Sequence, residues 1–552
     1  MPPRTSLKKH DAATESRALK AQRQRISTQI RKDKRRATVQ TKRRRVMSME
    51  QGRHTDRSIT ELVRVLGDTT NASSAHSQAR FETLKEIRVL LARHEHDYEQ
   101  VDQIIESGIV PVLVSLLNSA SPLASATRTG GEVYSEILWC LTNIASGQYE
   151  HTKVVLPAVP RLLQFLETST PSLAENAAWV IGNIAADCDE FRQHLIAAGA
   201  VKPLVALLRP LIDTTLTQKS VWALSNLARG VETSSTPFVD AGIVSILLNP
   251  QTIGKAFSDA FMIEVAWLLS FLSAREEATL QLLLTHGLIA FFMPSFTTTK
   301  EELLTPILRV FGNICCSSID HHTDEWQKPY IHRLVCEDSV MLPKLYEFLQ
   351  PQASHVALAA EAAWVISNLA ATDTCIVDRL IHAQLLPLLS HHFHHGTYLV
   401  RREVAFALTN VALTSVDHMN QIVELHVVTE FLQLLSVSDV ALVGNSLRFL
   451  EQLMRGGTPG VALVEAHGGI DALEKVQFEN EAEYLSTWAA ALVNEFYGEN
   501  YGVQSPPLCG KDSLTEESTE IEIGTSNAVV SGGRGRGVHM TMPAWKEGTN
   551  WS

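Results

Sequence analysis

Long apolar runs are missing from this chain of 552 residues. The most apolar segment, from Leu280 to Met293, is interrupted by Thr285 and His286. No run reaches the roughly 18 residues that a membrane-spanning helix requires. The N-terminus is basic from Arg4 onward and lacks an apolar core, so no secretory signal is predicted. We therefore expect neither membrane insertion nor secretion.

Cysteine and catalytic motifs are also scarce. The seven cysteines are scattered without C-x-x-C spacing, which is typical of reduced core residues in a cytosolic or nuclear protein. No phosphate-binding glycine loop, dinucleotide fingerprint or serine-nucleophile motif occurs, so we predict neither catalysis nor a cofactor. One histidine cluster, HHFHHG, could bind a metal or form a polar loop between helices. Cys and carboxylates are absent at structural-zinc spacing, and we favour the loop. Its histidines are His391, His392, His394 and His395.

Charge is distributed very unevenly. Residues 1–50 contain sixteen Lys/Arg and four acidic residues, a net charge of +12. Since the whole chain carries −12, residues 51–552 carry −24. A basic arm on an acidic body predicts that the body binds basic partners and that the arm associates with the body.

A helical motif recurs along the body, for example NAAWVIGNIAA and EAAWVISNLAA. Its central residue, which we call the marker, recurs at intervals of 40 to 45 residues, with one interval of 55 that we expect to hold a loop insertion. Such a period without strand alternation is typical of armadillo or HEAT-type helical repeats. The markers are Trp139, Trp179, Trp222, Trp267, Arg309, Trp364, Phe406 and Arg448.

The repeats predict an all-α fold, a right-handed superhelical armadillo-repeat solenoid of about ten repeats. Before each marker, an apolar run with a glycine turn predicts two shorter helices. We expect a basic segment at residues 1–50, a flexible linker at 51–77, the solenoid at 78–498 and a disordered Ser/Gly/Thr-rich tail at 499–552.

Asparagine follows six of the markers by four residues, a separation that places both on one face of a helix. These residues form the asparagine row: Asn143, Asn183, Asn226, Asn313, Asn368 and Asn410. Buried Asn without a partner costs about 1–3 kcal/mol, and mid-helix Asn is a poor helix former. Packing alone offers no reason to repeat that cost, so we favour an exposed binding role.

The chemistry of these rows suits a basic peptide. Asn can hold a peptide backbone through its donor and acceptor, whatever the peptide's side chains. Neighbouring Trp rings form slots for the aliphatic stems and charged ends of Lys and Arg. Acidic residues recur three positions before the marker at Glu136, Glu264, Glu361 and Glu403, and we expect them to neutralise the bound charges.

These residues resemble the importin α family over nearly the whole chain. The resemblance implies a nuclear-import adaptor, in which Asp187 pairs with a key cargo Lys. It implies a major site for nuclear-localisation peptides and a minor site. The major site comprises Trp139, Asn143, Ser146, Gly147, Thr152, Trp179, Asn183, Asp187, Trp222, Asn226, Glu264 and Trp267. The minor site comprises Arg309, Asn313, Trp364, Asn368, Glu403, Phe406 and Asn410. Phe406 replaces the family's Trp, and Phe271 replaces its usual Tyr, so we rank the major site first.

The N-terminal arm resembles the family's importin-β-binding segment, from Ser16 to Arg45. It carries a thin apolar stripe on a basic helix that would fold on its partner. The resemblance further implies that the block Lys42, Arg43, Arg44 and Arg45 occupies the groove in cis until importin β captures the arm. It also implies an export receptor at the C-terminal repeats and shuttling between cytoplasm and nucleus.

Two other functions remain as alternatives. An armadillo scaffold in signalling or adhesion would line its groove with Lys/Arg for acidic ligands, whereas this groove offers Trp, Asn and Glu. A nucleic-acid-binding solenoid would have a basic body, and this body carries −24. We therefore expect no nucleic-acid binding by the body.

Overall fold

The computed structural model describes most of the body of the chain. The predicted arm and tail lie outside these residues. The described ranges are 57–68, 74–93, 98–118, 130–209, 214–230, 233–249, 257–316, 327–337, 340–351 and 356–498.

Ten long helices recur along the described part of the chain, and each packs against the next. They include the eight helices that carry the predicted markers, with one more at either end. The ten are α1 (Ser74–Arg93), α2 (Gly130–Ala145), α3 (Pro171–Ala185), α4 (Thr215–Ala228), α5 (Asp259–Leu272), α6 (Glu301–Cys316), α7 (Val356–Ala370), α8 (Tyr398–Ala412), α9 (Val440–Arg455) and α10 (Glu483–Tyr497). The described residues thus form an armadillo-repeat solenoid, as the sequence predicts.

Shorter helices fill the intervals. Before α1 lies Ile59–Gly67. Between the long helices lie Tyr98–Glu106, Ile109–Asn118, Tyr149–Lys153, Leu156–Ala158, Val159–Leu166, Asp189–Ala197, Val201–Ala206, Thr236–Asp240, Ile243–Leu247, Glu277–Thr285, Leu288–Phe292, Met293–Thr297, Lys328–His332, Arg333–Glu337, Met341–Phe348, Thr374–His382, Leu385–His395, Val416–Val423, Val428–Leu434, Thr458–Ala466 and Gly469–Glu479. Leu156–Ala158 and Met293–Thr297 are 3₁₀ turns, and Arg333–Glu337 is a π-turn.

The corner between the two short helices of a repeat uses a left-handed backbone conformation. Gly199, Gly242 and Gly287 adopt φ values of 86° to 88° at this corner. Glycine suits the position because it has no Cβ to clash with the following carbonyl. Gln384 and His426 adopt φ of 57° at the equivalent corners of later repeats. The corner geometry is therefore kept even where glycine is not.

Apolar side chains of successive helices form one continuous core along the described repeats. Within the described residues, no single helix combines the length and apolar character of a membrane span. One pair, Glu277–Thr285 with Leu288–Phe296, meets the length and composition criteria jointly but is bent by 67°. Leu280, Leu283 and Leu288 of this pair are buried in the core.

The N-terminal boundary of the solenoid differs from the prediction. The expected flexible linker at 51–77 contains the helix Ile59–Gly67, whose Leu62 and Leu66 are buried. Arg80 of α1 donates hydrogen bonds of 2.9 and 2.7 Å to the Leu66 carbonyl, which ties the helix to α1. Ser58 caps its N-terminus by accepting the Glu61 N–H. Packed structure therefore includes residues 58–68, within the segment predicted as a linker.

The histidine cluster also differs from the prediction. It forms the last turn of the helix Leu385–His395 and is not a loop. His392 contacts the Leu349 carbonyl at 2.9 Å, and His394 contacts Glu430 at 2.7 Å. Burial lowers the pKa of His392. In the described part of the chain, no group of three or more His, Cys, Asp or Glu side chains is arranged to hold a metal. The insertion expected near His321 lies outside the described residues.

Candidate functional site

The marker row follows the long helices α2 to α9, one marker per helix. The rings of Trp139 and Trp179 lie 5.3 Å apart between centroids and are tilted by 55°. Aromatic pairs at this separation attract each other beyond simple burial. The first two markers therefore form a direct aromatic contact between α2 and α3.

Two glycines accommodate the markers of the following helices. A Cβ placed on Gly182 would overlap the indole of Trp222, and one on Gly312 would overlap the indole of Trp364. Each glycine immediately precedes an asparagine of the row. In α9 the equivalent residue is Glu451, but in the other five repeats it is small or hydroxylated: Thr142, Ser225, Ser270, Ser367 and Thr409. Our sequence prediction missed this small-residue row, although its register relative to asparagine would have revealed it.

The asparagine row forms a repeating hydrogen bond between neighbouring long helices. In five of the six asparagines, Nδ2 donates to the carbonyl of the small residue on the preceding long helix. The bonds are Asn183 to Thr142 (2.8 Å), Asn226 to Gly182 (3.0 Å), Asn313 to Ser270 (3.0 Å), Asn368 to Gly312 (3.0 Å) and Asn410 to Ser367 (2.7 Å). The expectation that packing gives no reason to repeat Asn is therefore wrong. These residues join the repeats, and a binding role would be additional.

The inter-repeat bond does not use the whole amide group. An Asn side chain has two N–H donors and a carbonyl acceptor, and this bond uses one donor. Oδ1 of Asn226 has no hydrogen-bond partner among the described residues, although it is shielded from water. A shielded acceptor without a partner costs about 1–3 kcal/mol.

Asp187, just beyond the C-terminus of α3, is oriented by Thr152. The Thr152 hydroxyl donates to its carboxylate at 2.6 Å, and the Thr152 side chain is fully buried. The hydroxyl of Ser146 donates to the Asn143 carbonyl at 2.7 Å and closes the end of α2. Burial raises the pKa of the neighbouring Cys188 thiol, which favours its neutral form. The predicted major-site residues Ser146, Thr152 and Asp187 thus converge on the junction of α2 and α3.

His151 is a structural residue that the sequence prediction missed at this junction. A Cβ on Gly147 would overlap the His151 ring, which explains glycine there. Nδ1 of His151 accepts the Gln148 N–H at 3.1 Å, so its proton lies on Nε2. Nε2 then donates to Asp102 at 2.6 Å. The bonds hold the short helix that carries Thr152.

Three of the predicted groove glutamates pair with arginines of the chain itself. Arg88 lies 2.6 Å from Glu136, and Arg309 donates to Glu361. In the predicted minor site, Arg402 lies 3.1 Å from Glu403, and it also lies 2.7 Å from Asp439. Arg402 and Glu403 are both buried. The expectation that these carboxylates serve bound cations therefore requires revision, because intramolecular cations already contact them.

Cations of the chain also lie against three marker rings. Arg309 lies 5.6 Å from the ring of Trp267, and Arg402 lies 5.4 Å from that of Phe406. Lys219 lies closest of the three, 3.5 Å from the ring of Trp179. These are cation–π distances. The ring at Phe406 is thus smaller than an indole and is already contacted by an arginine of the chain.

Three comparisons agree on the relationship of this chain to known proteins. The Armadillo/beta-catenin-like repeat family matches residues 97–123, 152–186 and 188–229. Importin subunit alpha-9 of Arabidopsis thaliana is 32% identical over 446 residues, which are 77% of this chain and 81% of the relative. Importin subunit alpha-2 of Oryza sativa subsp. japonica is 29% identical over 441 residues, 77% of this chain and 79% of the relative.

Among solved structures, an engineered protein gives a TM-score of 0.63 at 24% identity, covering 79% of this chain and 98% of that chain. This likeness concerns the fold alone. The sequence similarity to the two plant relatives extends along most of each protein. The chain belongs to the importin α family.

Proposed function

We propose that this protein is a nuclear-import adaptor whose groove binds Lys/Arg-rich localisation peptides along α2 to α5. Family membership supports the adaptor role at the general level. The observation that carries the groove assignment is the convergence of three features at α2 to α4. These are the paired indoles of Trp139 and Trp179, the aligned asparagines, and a carboxylate, Asp187, held by a buried hydroxyl.

Each feature has a separate task in holding an extended peptide. The asparagine amides bond the peptide backbone and fix its register along the row. The indoles cover the aliphatic stems of alternate Lys or Arg side chains. Asp187 pairs with one ammonium group at the end of α3, where its orientation is set before binding. Since Thr152 holds the carboxylate, less ordering entropy is lost when the ion pair forms.

The test is a binding titration with a peptide that contains one Lys/Arg cluster. Asp187→Lys, or Trp179→Ala with Trp222→Ala, is expected to lower affinity at least a hundred-fold at physiological salt, about 2.7 kcal/mol or more. Glu474→Lys provides a matched control, because it changes the net charge equally on the distant helix Gly469–Glu479. Unchanged affinity in the Asp187 and Trp variants would contradict the major-site assignment.

The proposal includes two transport partners. The arm from Ser16 to Arg45 would bind importin β, and the C-terminal repeats would bind an export receptor that returns the adaptor to the cytoplasm. Shuttling between cytoplasm and nucleus follows from these two interactions. Relatives named importin α support partners of this kind. A pull-down with importin β on the full chain and on a chain lacking residues 1–50 tests the first interaction. Equal capture of both would contradict it.

The proposal also includes inhibition of the groove in cis by Lys42–Arg45. Twelve residues lie between Arg45 and Ser58, the N-cap of the first described helix. Fully extended, that length spans at most about 45 Å. Long helices pack about 10 Å apart, so the nearest repeats of the groove lie within this limit. The tether is shorter than a linker ending at residue 77 would have been, which favours contact at the N-terminal end of the major site.

A further inference from the structure

Lys219 of α4 occupies the slot between two marker rings of the major site. Its Nζ lies 3.5 Å from the ring centroid of Trp179 and 5.9 Å from that of Trp222. An incoming Lys or Arg that used this slot would place its charge between the same two rings. The chain therefore supplies its own cation where the proposed function would otherwise place one from the cargo.

Lys219 reverses the charge that several other repeats carry at the same position. It lies three residues before its marker, one helical turn away on the same face. The residues at this register, from α2 to α9, are Glu136, Asn176, Lys219, Glu264, Pro306, Glu361, Glu403 and Asn445. Four are acidic and Lys219 alone is basic, so α4 differs in sign from the repeats that carry glutamate.

Helices α3 and α4 are joined one turn before Lys219. Glu175 of the neighbouring α3 accepts a hydrogen bond of 2.7 Å from Thr215, which lies one turn before Lys219 on α4. The Lys219 side chain is half-buried, so its stem is covered while the ammonium reaches the indole face. Cation–π attraction strengthens as the cation is desolvated.

We infer that Lys219 determines specificity in the groove: the preferred cargo peptide presents a carboxylate, rather than Lys or Arg, at the position facing the Trp179–Trp222 slot. This inference rests on the proposed function. A peptide Lys or Arg about 4 Å from the Lys219 ammonium would be repelled even in water, which would reduce peptide affinity about five-fold. A peptide carboxylate at that distance would be attracted, which would raise peptide affinity by a similar factor. The selected peptide is thus a basic cluster interrupted by one acidic residue.

The experiment uses the full chain with Lys42–Arg45 replaced by alanine, so that the basic block of the arm does not compete in any variant. The probes are a seven-residue peptide of Lys and Arg only, and seven derivatives with Glu at each position in turn. Affinities are measured by fluorescence anisotropy. The variants are Lys219→Gln, Lys219→Glu and the charge-preserving Lys219→Arg. Lys475→Gln serves as a control that removes a positive charge from a distant, exposed position.

With Lys219 present, one Glu derivative is expected to bind at least as tightly as the all-basic peptide, while the other derivatives lose ten-fold or more. Lys219→Gln should tighten the all-basic peptide about five-fold and remove the advantage of that derivative. Lys219→Glu should reverse the preference to Lys at that position. Lys219→Arg and Lys475→Gln should leave the pattern unchanged.

Equal losses for all seven Glu derivatives, with no change in Lys219→Gln, would overturn the specificity role while the groove assignment stands. Failure of the starting chain to bind any of the eight peptides would overturn both. The double variant Trp179→Ala, Trp222→Ala distinguishes failure of the specificity role from failure of the groove assignment. Peptide binding that survives the loss of both rings would contradict the groove assignment. Unfolding curves of each variant confirm that the fold is retained.

Discussion

At the scale of single residues, the orientation of Asp187 depends on Thr152. Thr152→Val keeps the side-chain shape but removes the donor of the 2.6 Å bond to the carboxylate. We expect peptide affinity to fall about five-fold, and the free energy of unfolding to fall by about 1 kcal/mol. Titration and denaturant unfolding measure the two effects. Thr305→Val is the control, because the Thr305 hydroxyl bonds only Glu301 within α6. Equal peptide affinity in both variants would show that Thr152 does not orient Asp187 for binding.

Trp364 tests the ranking of the two sites. Its indole packs over Gly312 in the predicted minor half, one repeat before Phe406, whose ring Arg402 contacts. We expect Trp364→Ala to weaken a peptide with two basic clusters about three-fold, and a single-cluster peptide hardly at all, since an exposed cation–π contact contributes about 0.5–1 kcal/mol. Competition titrations with both peptides measure this. Loss of single-cluster binding as severe as in the Trp179/Trp222 pair would contradict the ranking.

Residue types and registers were predictable, whereas most of their contacts were not. The four-residue offset of Asn from the marker placed both rows on one face, as observed. The acceptor in each of the five bonds lies 41 to 56 residues earlier on another helix, so local periodicity cannot identify it. The same holds for Arg88 against Glu136 and Lys219 against Trp179. Such pairings depend on how neighbouring helices are packed.

At the scale of helices and turns, the left-handed corners offer a test of backbone strain. Gln384 adopts φ of 57° and its side chain is exposed, so it incurs the clash of Cβ with the carbonyl and gains little from packing. We expect Gln384→Gly to raise the free energy of unfolding by about 1 kcal/mol. Gly199→Ala, at an equivalent corner where no heavy atom lies within 4 Å of the added Cβ, should lower it by a similar amount. Thermal unfolding measures both, and a destabilised Gln384→Gly would show that the Gln side chain matters more than its backbone.

The helix Ile59–Gly67, which the sequence prediction missed, has a recognisable sequence pattern. Ser58 and Glu61 match a capping-box pattern, and Ile59, Leu62 and Leu66 follow at spacings of three and four residues. The high polarity of the flanking residues led us to predict a linker. The prediction for the histidine cluster was wrong for the same reason. Its polar residues suggest a loop, but they end a helix that begins with an apolar turn at Leu385.

At the scale of the whole molecule, the separation of charge between arm and body predicts self-inhibition. Deleting residues 1–50 is expected to raise the affinity for a basic peptide several-fold, because a tethered competitor acts at an effective concentration near millimolar. Replacing Lys42–Arg45 with alanine should reproduce the gain while preserving importin β binding through residues 16–36. Adding importin β to the full chain should also raise peptide affinity. Equal affinity of the full and shortened chains, measured without importin β, would exclude inhibition in cis and leave the groove assignment intact.

The bonds of the asparagine row also give the array a direction. Every described bond of the row has its donor on the later helix and its acceptor on the earlier one, so Nδ2 is turned toward the N-terminal neighbour in each case. The amides therefore share one orientation instead of flipping from repeat to repeat. A peptide backbone has its own polarity, so we expect amides that share one orientation to favour one direction of peptide in the proposed groove. Such a groove would distinguish cargoes by the order of their residues as well as by composition.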